Sequence, residues 1–319
     1  MNKIKWQSIL KMGYRDSHQL LKDLSLDAHV PSIQSFPLWV PKPFVERMMP
    51  GNINDPLLQQ ILPTQAELQD STFLEDPLQE LQQSPDQGLI HKYHNRLLLM
   101  VSGGCALHCR YCFRRHFPYA QHTLDLKTVD RHLTQHPHID EVILSGGDPL
   151  MLHDNKLAAL LKHISHYKQI KFIRIHTRLP IVIPDRITPE FIQALECLPT
   201  VTSIVFHINH PNEIDHSVHQ ALKQLPSSIL LYNQSVLLKG INDCPNTLKK
   251  LSHTLISSRI QPYYLHLLDP VKGAHHFQTD LKNAKKIYQK LQATTPGYLV
   301  PKLCQEVAHQ PHKILIGNR

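Results

Sequence analysis

Short aliphatic runs alternate with segments of helical spacing from residue 97 onward, and this alternation limits the possible folds more than any other feature. The runs have the length and composition of β-strands. They are Leu97 to Val101, Glu141 to Ser145, Lys171 to His176, Ser203 to Ile208, Ile229 to Ser235 and Pro262 to Leu267. Because each interval leaves room for a crossover helix, the pattern predicts parallel βα units, arranged as an α/β barrel or as an open sheet.

The first ninety residues differ in composition from the rest of the chain. Residues 1–35 have helix-like apolar spacing, and residues 36–88 are rich in proline, asparagine, aspartate and glutamine. Segments of the second kind form short helices and turns. We therefore expect a helical and turn-rich wrap over residues 1–90 and the α/β core over residues 91–319.

Composition argues against several classes of protein. The chain has 41% hydrophobic and 19% charged residues and no apolar run long enough to span a membrane, so we expect neither a disordered chain nor a membrane partner. Residues 1–7 lack the apolar core of a signal peptide. We therefore expect a cytoplasmic protein whose six cysteines are free thiols.

Charge alone does not identify a partner. The 34 Lys+Arg against 26 Asp+Glu give a net charge of +8, which is compatible with nucleic acid, anionic cofactors or acidic proteins. The basic residues are dispersed, with no RNP-type aromatic pattern and no zinc-finger spacing. We expect a solvated basic surface without direct nucleic-acid binding. An iron–sulfur or zinc protein that binds RNA is the alternative from another functional class.

Half of the cysteines follow the first predicted strand within eight residues. Cys105, Cys109 and Cys112 have the spacing Cys-x₃-Cys-x₂-Cys. A structural zinc site needs a fourth ligand and usually has paired Cys-x-x-Cys motifs. Three thiolates instead suit a [4Fe–4S] cluster in which one iron keeps an open coordination position.

The second predicted strand ends in Gly146, Gly147 and Asp148, which alone would be an ordinary turn. Together with the cysteine spacing, and with Tyr111 before the last cysteine, this segment resembles the GGE-type motif of the radical S-adenosylmethionine superfamily. The resemblance implies that S-adenosyl-L-methionine binds the open iron and is cleaved to a 5′-deoxyadenosyl radical. It also implies that all three residues contact this cofactor.

Flanking segments are similar to the lysine 2,3-aminomutase family over residues 36–316. They are residues 54–56, 110–115, 177–180, 209–213, 233–238 and 297–301. Within that family the chain resembles the short bacterial enzymes that make (R)-β-lysine for the modification of translation elongation factor P. The strand count and this resemblance together predict a partial (β/α)6 TIM-like barrel with an N-terminal helical extension and a C-terminal closing segment.

The family also uses pyridoxal 5′-phosphate, which needs a lysine for covalent attachment and cations for its phosphate. Lys313 matches the attachment lysine because an aliphatic strand follows it, whereas the rival Lys302 lacks that context. The resemblance assigns further cofactor contacts to Lys92, Tyr93, Arg96, Arg178, His210 and Gln234.

The substrate that the resemblance implies is free L-lysine, which carries a carboxylate and a distal ammonium group. Arg114 matches the carboxylate-binding arginine, and its planar fork suits that group. Asp269 and Glu306 match the residues that bind the ammonium group. Glu306 stands where relatives have aspartate, so it keeps the charge but is one methylene longer.

The resemblance therefore implies an isomerase that converts L-α-lysine to (R)-β-lysine by 2,3-amino migration. It implies a reductant protein as electron donor and a functional link to elongation factor P and its lysyl-ligase. The alternative enzyme is a stand-alone metabolic aminomutase. Such family members generally have a longer C-terminal region, whereas this chain ends six residues after Lys313.

Overall fold

A computed structural model describes residues 5–69, 72–84 and 86–317. Within these residues nine strands form one sheet whose spatial order follows the chain. They are β1 (Leu89–Tyr93), β2 (Arg96–Ser102), β3 (Glu141–Gly146), β4 (Phe172–Thr177), β5 (Val201–His207), β6 (Leu230–Val236), β7 (Gln261–His266), β8 (Lys302–Gln305) and β9 (Ile314–Leu315). Strands β2 to β8 pair in parallel, and β1 and β9 pair antiparallel at the two edges.

The expected α/β class and partial barrel are confirmed. The six predicted strands are β2 to β7, and their observed ends differ from the predicted ones by at most two residues. In the described part of the chain β1 and β9 do not pair with each other, so the barrel is open. The structure adds a seventh parallel strand, β8, and both edge strands. The sequence pattern missed them because β8 and β9 are very short and β1 contains His91 and Lys92.

Helices connect successive parallel strands, as the strand spacing predicted. The helices are α1 (Trp6–Lys11), α2 (Ser17–Asp23), α3 (Lys42–Val45), α4 (Leu126–Gln135), α5 (Asp154–Ser165), α6 (Leu179–Val182), α7 (Pro189–Glu196), α8 (His216–Lys223), α9 (Pro245–Ser257) and α10 (Leu281–Thr294). Side-chain caps define several starts: the Thr188 hydroxyl accepts a hydrogen bond from the backbone N–H of Phe191 at 3.1 Å. Asp280 caps α10 in the same way.

The N-terminal region and the sheet share one hydrophobic cluster. Leu20 and Leu57 lie in the same cluster as Leu97 of β2 and Leu144 of β3, and all four side chains are fully buried. Burying each such leucine contributes roughly 1.5–3 kcal/mol to the free energy of folding. The turn-rich segment therefore packs directly on the strands that carry the cysteine loop. Among the described residues no helix is long and apolar enough to cross a membrane.

Candidate active site

A cavity of about 480 Å³ is bordered by the strand ends and contains nearly all the predicted site residues. Its lining includes Cys105, Cys109, Cys112, Gly146, Gly147, Asp148, Lys92, Tyr93, Arg96, Arg178, Gln234, Arg114, Asp269, Glu306 and Lys313. His210 does not line the cavity; its ring accepts a hydrogen bond from the backbone N–H of Asn212 at 3.2 Å. Carboxyl ends of parallel strands are where α/β folds bind ligands.

The cysteine loop after β2 is anchored to the N-terminal region by two buried arginines. Arg110 is fully buried and binds Glu67 through two hydrogen bonds, of 2.9 and 2.6 Å. It also donates to the carbonyl oxygen of Phe36 at 2.6 Å. Arg115 donates to the same carboxylate at 2.8 Å. Because Glu67 receives both cations, the turn-rich wrap fixes the position of the loop that carries the three thiols.

The three thiols lie in one loop that lines the cavity. Burial and the neighbouring Cys109 raise the pKa of Cys112 to about 11, and burial raises the pKa of Cys105. Such thiols stay protonated in neutral solution unless a metal centre stabilises the thiolate form. The donor set, three cysteines in one loop beside a cavity, fits a [4Fe–4S] cluster with one open iron.

Gly146 and Gly147 hold the end of β3 against the start of the cysteine loop. The backbone N–H of Gly147 donates to the carbonyl oxygen of Ser102 at 2.7 Å, and that of Asp148 donates to Gly104 at 2.8 Å. A Cβ atom on Gly147 would overlap the Gly104 carbonyl group. Gly146 has a backbone φ of +120°, a conformation that residues with a Cβ atom rarely adopt. Both glycines are therefore required for the loop to pack here.

The Asp148 carboxylate links the ends of two neighbouring strands. The Thr177 hydroxyl donates to Oδ1 at 2.7 Å, and the backbone N–H groups of Arg178 and Leu179 donate to Oδ2 at 2.8 and 2.9 Å. The N–H group of Leu150 also donates to Oδ1, at 3.0 Å. Both oxygens are thus already engaged within the protein, so this side chain ties β3 to β4.

Arg178 lies beside the cysteine loop in a buried polar network. Its guanidinium donates to Cys109 Sγ at 2.7 Å and to the Tyr111 hydroxyl at 2.5 Å. It also donates to Gln60 and to Glu213, both at 2.8 Å. Arg178 therefore contacts one of the three predicted cluster ligands directly. Its predicted contact with a cofactor phosphate stays a prediction.

At the opposite end of the cavity, Glu306 binds three side chains. Lys313 donates to Oε2, Lys92 lies 2.7 Å from Oε1, and the Tyr93 hydroxyl donates to Oε1 at 2.5 Å. Burial disfavours ionisation of Glu306, but the two lysines outweigh it and lower its pKa to about 2. Glu306 is therefore a buried carboxylate that already binds two ammonium groups.

Asp269, which follows β7, is left without a cation. Its Oδ1 atom is buried and has no hydrogen-bond partner in the described structure. Burial, with the nearby Glu306 charge, raises the pKa of Asp269 to about 7. A buried carboxyl group of this kind is costly to leave unpaired, and a cationic ligand in the cavity would satisfy it.

Arg114 and Arg96 already have protein partners. Arg114 binds Glu80 through two hydrogen bonds, of 2.6 and 2.9 Å, and donates to the Ser145 hydroxyl at 2.9 Å. Arg96 lies over the Tyr93 ring at 4.3 Å from its centroid. Glu80 gives no signal in the sequence, because a single acid in a turn-rich segment belongs to no motif.

The sequence of the chain was compared with those of known proteins. A sequence profile of the Radical SAM superfamily matches residues 99–229. The chain is 46% identical to an L-lysine 2,3-aminomutase of Haemophilus influenzae over 98% of this chain and 96% of that protein. It is 44% identical to the L-lysine 2,3-aminomutase of Escherichia coli, over 97% and 93% of the two chains. The chain belongs to the L-lysine 2,3-aminomutase family.

A likeness among solved structures is weaker. A radical SAM methyltransferase from Sphaerobacter thermophilus matches 68% of each chain with a TM-score of 0.46 and 16% sequence identity. The sequence relatives therefore decide the family. Membership of the Radical SAM superfamily implies an iron–sulfur cluster and S-adenosylmethionine, and the three cysteines are present for the cluster.

Further polar residues of this aminomutase-family cavity come from inward positions of the strands. Arg174 and His176 on β4 line it, as do His207 on β5, and Tyr264 and His266 on β7. The Nε2 atom of His176 is buried without a partner in the described structure. The sequence holds a signal for the β4 pair, because Arg174 and His176 alternate with aliphatic residues along a predicted strand.

Proposed function

We propose that the protein is a radical S-adenosylmethionine enzyme that depends on pyridoxal 5′-phosphate and converts L-α-lysine to (R)-β-lysine. One observation carries the proposal: a single cavity has three cysteines at one end and Lys313, Glu306 and an unpartnered Asp269 at the other. The relatives named L-lysine 2,3-aminomutase that match almost the whole chain support the same activity.

The bound groups would supply reductive cleavage of a sulfonium and radical transfer of nitrogen between adjacent carbons, and the protein would supply binding and positioning. Cys105, Cys109 and Cys112 would hold the cluster, next to the Arg178 guanidinium. The Gly146–Gly147 backbone keeps the cysteine loop against β3, which fixes the cluster relative to the rest of the cavity.

The residues present also fit pyridoxal phosphate. Lys313 brings a primary amine into the cavity, 5.8 Å from the centroid of the Tyr264 ring. Lys92, Arg96 and Arg174 line the same cavity and supply cations for a phosphate group. Arg174 now donates to Glu141 through Nε at 2.9 Å and Nη2 at 2.5 Å, so two of its three nitrogens are already occupied.

Charge complementarity supports lysine as the substrate. Asp269 is an unpaired buried carboxyl group, and Glu306 already binds the ammonium groups of two lysine side chains. An ε-ammonium group from a free lysine has the same chemistry as those side chains. Arg114 would bind the substrate carboxylate through its planar fork and exchange Glu80 for it.

The decisive test is an anaerobic assay of the protein loaded with both cluster and pyridoxal 5′-phosphate, given free L-lysine, dithionite and S-adenosylmethionine. We expect β-lysine by chiral chromatography and mass spectrometry. A fully loaded protein that cleaves S-adenosylmethionine but forms no β-lysine would rule out lysine as the substrate. A loaded protein that cleaves no S-adenosylmethionine would rule out the radical chemistry itself.

We further propose that the β-lysine formed is used for modification of translation elongation factor P. The resemblance to short bacterial family members supports this link. Elongation factor P purified from cells lacking the protein should lack the β-lysyl group, and added β-lysine should restore it. Unchanged modification in those cells would remove the link while leaving the aminomutase activity in place.

A further inference from the structure

Five histidines cluster on the outer side of β1, away from the cavity. Two lie on or just after β1, and three lie on α4 or just beyond it: His91, His94, His132, His136 and His138. The rings of His94 and His138 are stacked with centroids 4.2 Å apart, and those of His132 and His136 are 4.3 Å apart. Nothing in the proposed lysine chemistry uses these side chains.

Three of these histidines converge on one point. Ligand nitrogens of His91, His132 and His136 all lie within 4.8 Å of one another. His132 Nε2 is 3.1 Å from His91 Nδ1. Two nitrogens bound to one tetrahedral zinc ion at about 2.0–2.1 Å lie roughly 3.3 Å apart, so this pair needs almost no rearrangement.

The backbone explains why the three rings meet. His132 and His136 are four residues apart at the end of α4, so they lie on the same helix face, one turn apart. His91 alternates along β1 with Ile90 and Lys92, which line the cavity, so its ring is directed to the opposite face. Strand and helix thus present imidazole groups to each other from two elements.

The three side chains offer imidazole ligands, which suit metal ions of intermediate softness. Imidazole nitrogens are common ligands of Zn²⁺ and its neighbours in the first transition row. His132 is buried, and burial together with His136 and His91 lowers its pKa to about 4, so the ring is neutral near pH 7. Ligation requires the neutral form.

We propose that His91, His132 and His136 bind one divalent transition-metal ion, with Zn²⁺ as the ion that fits the donor set. Water or the exposed His138 beside them would complete four ligands. The bound ion would join edge strand β1 to helix α4. Because Lys92 and Tyr93 continue the same strand, the ion would also fix the part of the cavity that binds Glu306.

The test uses cluster-loaded protein, so that the cysteines are occupied by iron. After incubation with ZnCl₂ and desalting, metal analysis should find one zinc per chain in addition to the cluster iron. His132→Gln and His136→Gln should each keep the iron and weaken zinc affinity by about 100-fold or more, since even an outer-shell change costs 10- to 100-fold. His253→Gln, an exposed histidine on α9, should keep both metals.

Two outcomes would overturn the proposal. The first is wild-type protein with a full cluster that retains no zinc, which would leave the histidines as a stack of rings only. The second is zinc that persists in both histidine variants and is lost in Cys112→Ser, which would place it at the cysteine loop. His136 is half-exposed, so its variant keeps the test valid even if His132→Gln folds poorly.

Discussion

The two ends of the cavity are built in different ways. At the cysteine end, residues 102–118 and 145–150 are joined by backbone hydrogen bonds and by glycine contacts that admit no side chain. At the opposite end, Lys92, Glu306 and Lys313 are held together by charge, and the Oδ1 atom of Asp269 has no hydrogen-bond partner in the described structure.

The cysteine end is therefore already assembled in the protein alone, whereas we expect bound ligands to complete the opposite end. The backbone hydrogen bonds that hold the cysteine loop against β3 involve no thiol group, so a cluster can bind the thiols without replacing them. In contrast, a cofactor attached to Lys313 must replace its contact with Glu306, and a substrate carboxylate on Arg114 must replace Glu80. The comparison predicts that damage at the cysteine end removes a cofactor, whereas damage at the other end changes binding of lysine and of pyridoxal phosphate.

The largest effect is expected for Lys313→Ala. The variant should lose β-lysine formation, because it lacks the amine predicted to hold pyridoxal phosphate, yet it should keep its iron. Borohydride reduction of the wild-type protein with pyridoxal phosphate should label Lys313, as peptide mass spectrometry would show.

Lys302→Ala is the matched control, since Lys302 is exposed on β8. It should keep both activity and labelling. Covalent cofactor retained by Lys313→Ala would contradict the assignment of the lysine.

Gly147→Ala should damage the preformed end. The added Cβ would overlap the carbonyl group of Gly104, which displaces the start of the cysteine loop. We expect a loss of several kcal/mol in unfolding free energy. Iron content after anaerobic reconstitution should fall well below that of the wild type.

Gly297→Ala serves as the comparison, because a Cβ there meets no neighbouring atom. Its iron content and stability should match those of the parent protein. Equal iron in the two alanine variants would show that the glycine contacts do not hold the loop.

Asp269 should make lysine binding depend on pH. Its pKa is about 7, so below pH 7 the carboxyl group is increasingly protonated and cannot pair with an ammonium group. Lysine keeps its ε-ammonium over this range, since the usual pKa of that group is about 10.4. The apparent affinity should fall about tenfold per pH unit below pH 7, measured as KM or by calorimetry.

Asp269→Asn isolates this effect. The variant should bind lysine about 10- to 100-fold more weakly at pH 8, which corresponds to the loss of a charged hydrogen bond of roughly 1.5–3 kcal/mol. It should also lack the pH dependence of the wild type below pH 7. An unchanged pH profile in the variant would assign the titration to another group.

The smallest effect is expected for Tyr93→Phe. The change removes the hydroxyl group that donates to Glu306 at 2.5 Å, while both lysines still bind that carboxylate. Unfolding in urea should show a loss of about 1–2 kcal/mol. Tyr298 is 69% exposed, so Tyr298→Phe is the control and should change stability by less than about 0.5 kcal/mol. Similar losses in the two variants would show that the hydrogen bond from Tyr93 to Glu306 does not stabilise the protein.

Local sequence predicted the strands and the cysteine end well. Strands β2 to β5 bury mainly aliphatic residues, and such runs are visible without tertiary information. Strand β6 is less regular, because it buries Asn233 and Ser235 beside Leu231. The three cysteines lie within eight residues, so they are close in space simply because they are close in the sequence. In contrast, β8 and β9 are four and two residues long, and only pairing with a neighbour defines them.

The residues at the other end of the cavity are far apart in the sequence, and local residue patterns did not predict that they meet. Lys92 and Glu306 are more than two hundred residues apart, and they meet only because the barrel curves until its edges approach. The Arg114–Glu80 and Arg178–Cys109 contacts likewise depend on packing between distant segments. Family resemblance identified several of these residues, but not the partners they have in the structure.

The two free edges of the sheet have a mechanical consequence. Strands β1 and β9 do not hydrogen-bond to each other in the described structure, and Glu306 next to β8 contacts Lys92 on β1 and Lys313 beside β9. The seam of this barrel is thus closed by one carboxylate instead of a backbone ladder. A ligand that withdraws Lys92 from Glu306 removes one of the two β1 side-chain contacts to this carboxylate, so binding in the cavity and the firmness of its wall are linked.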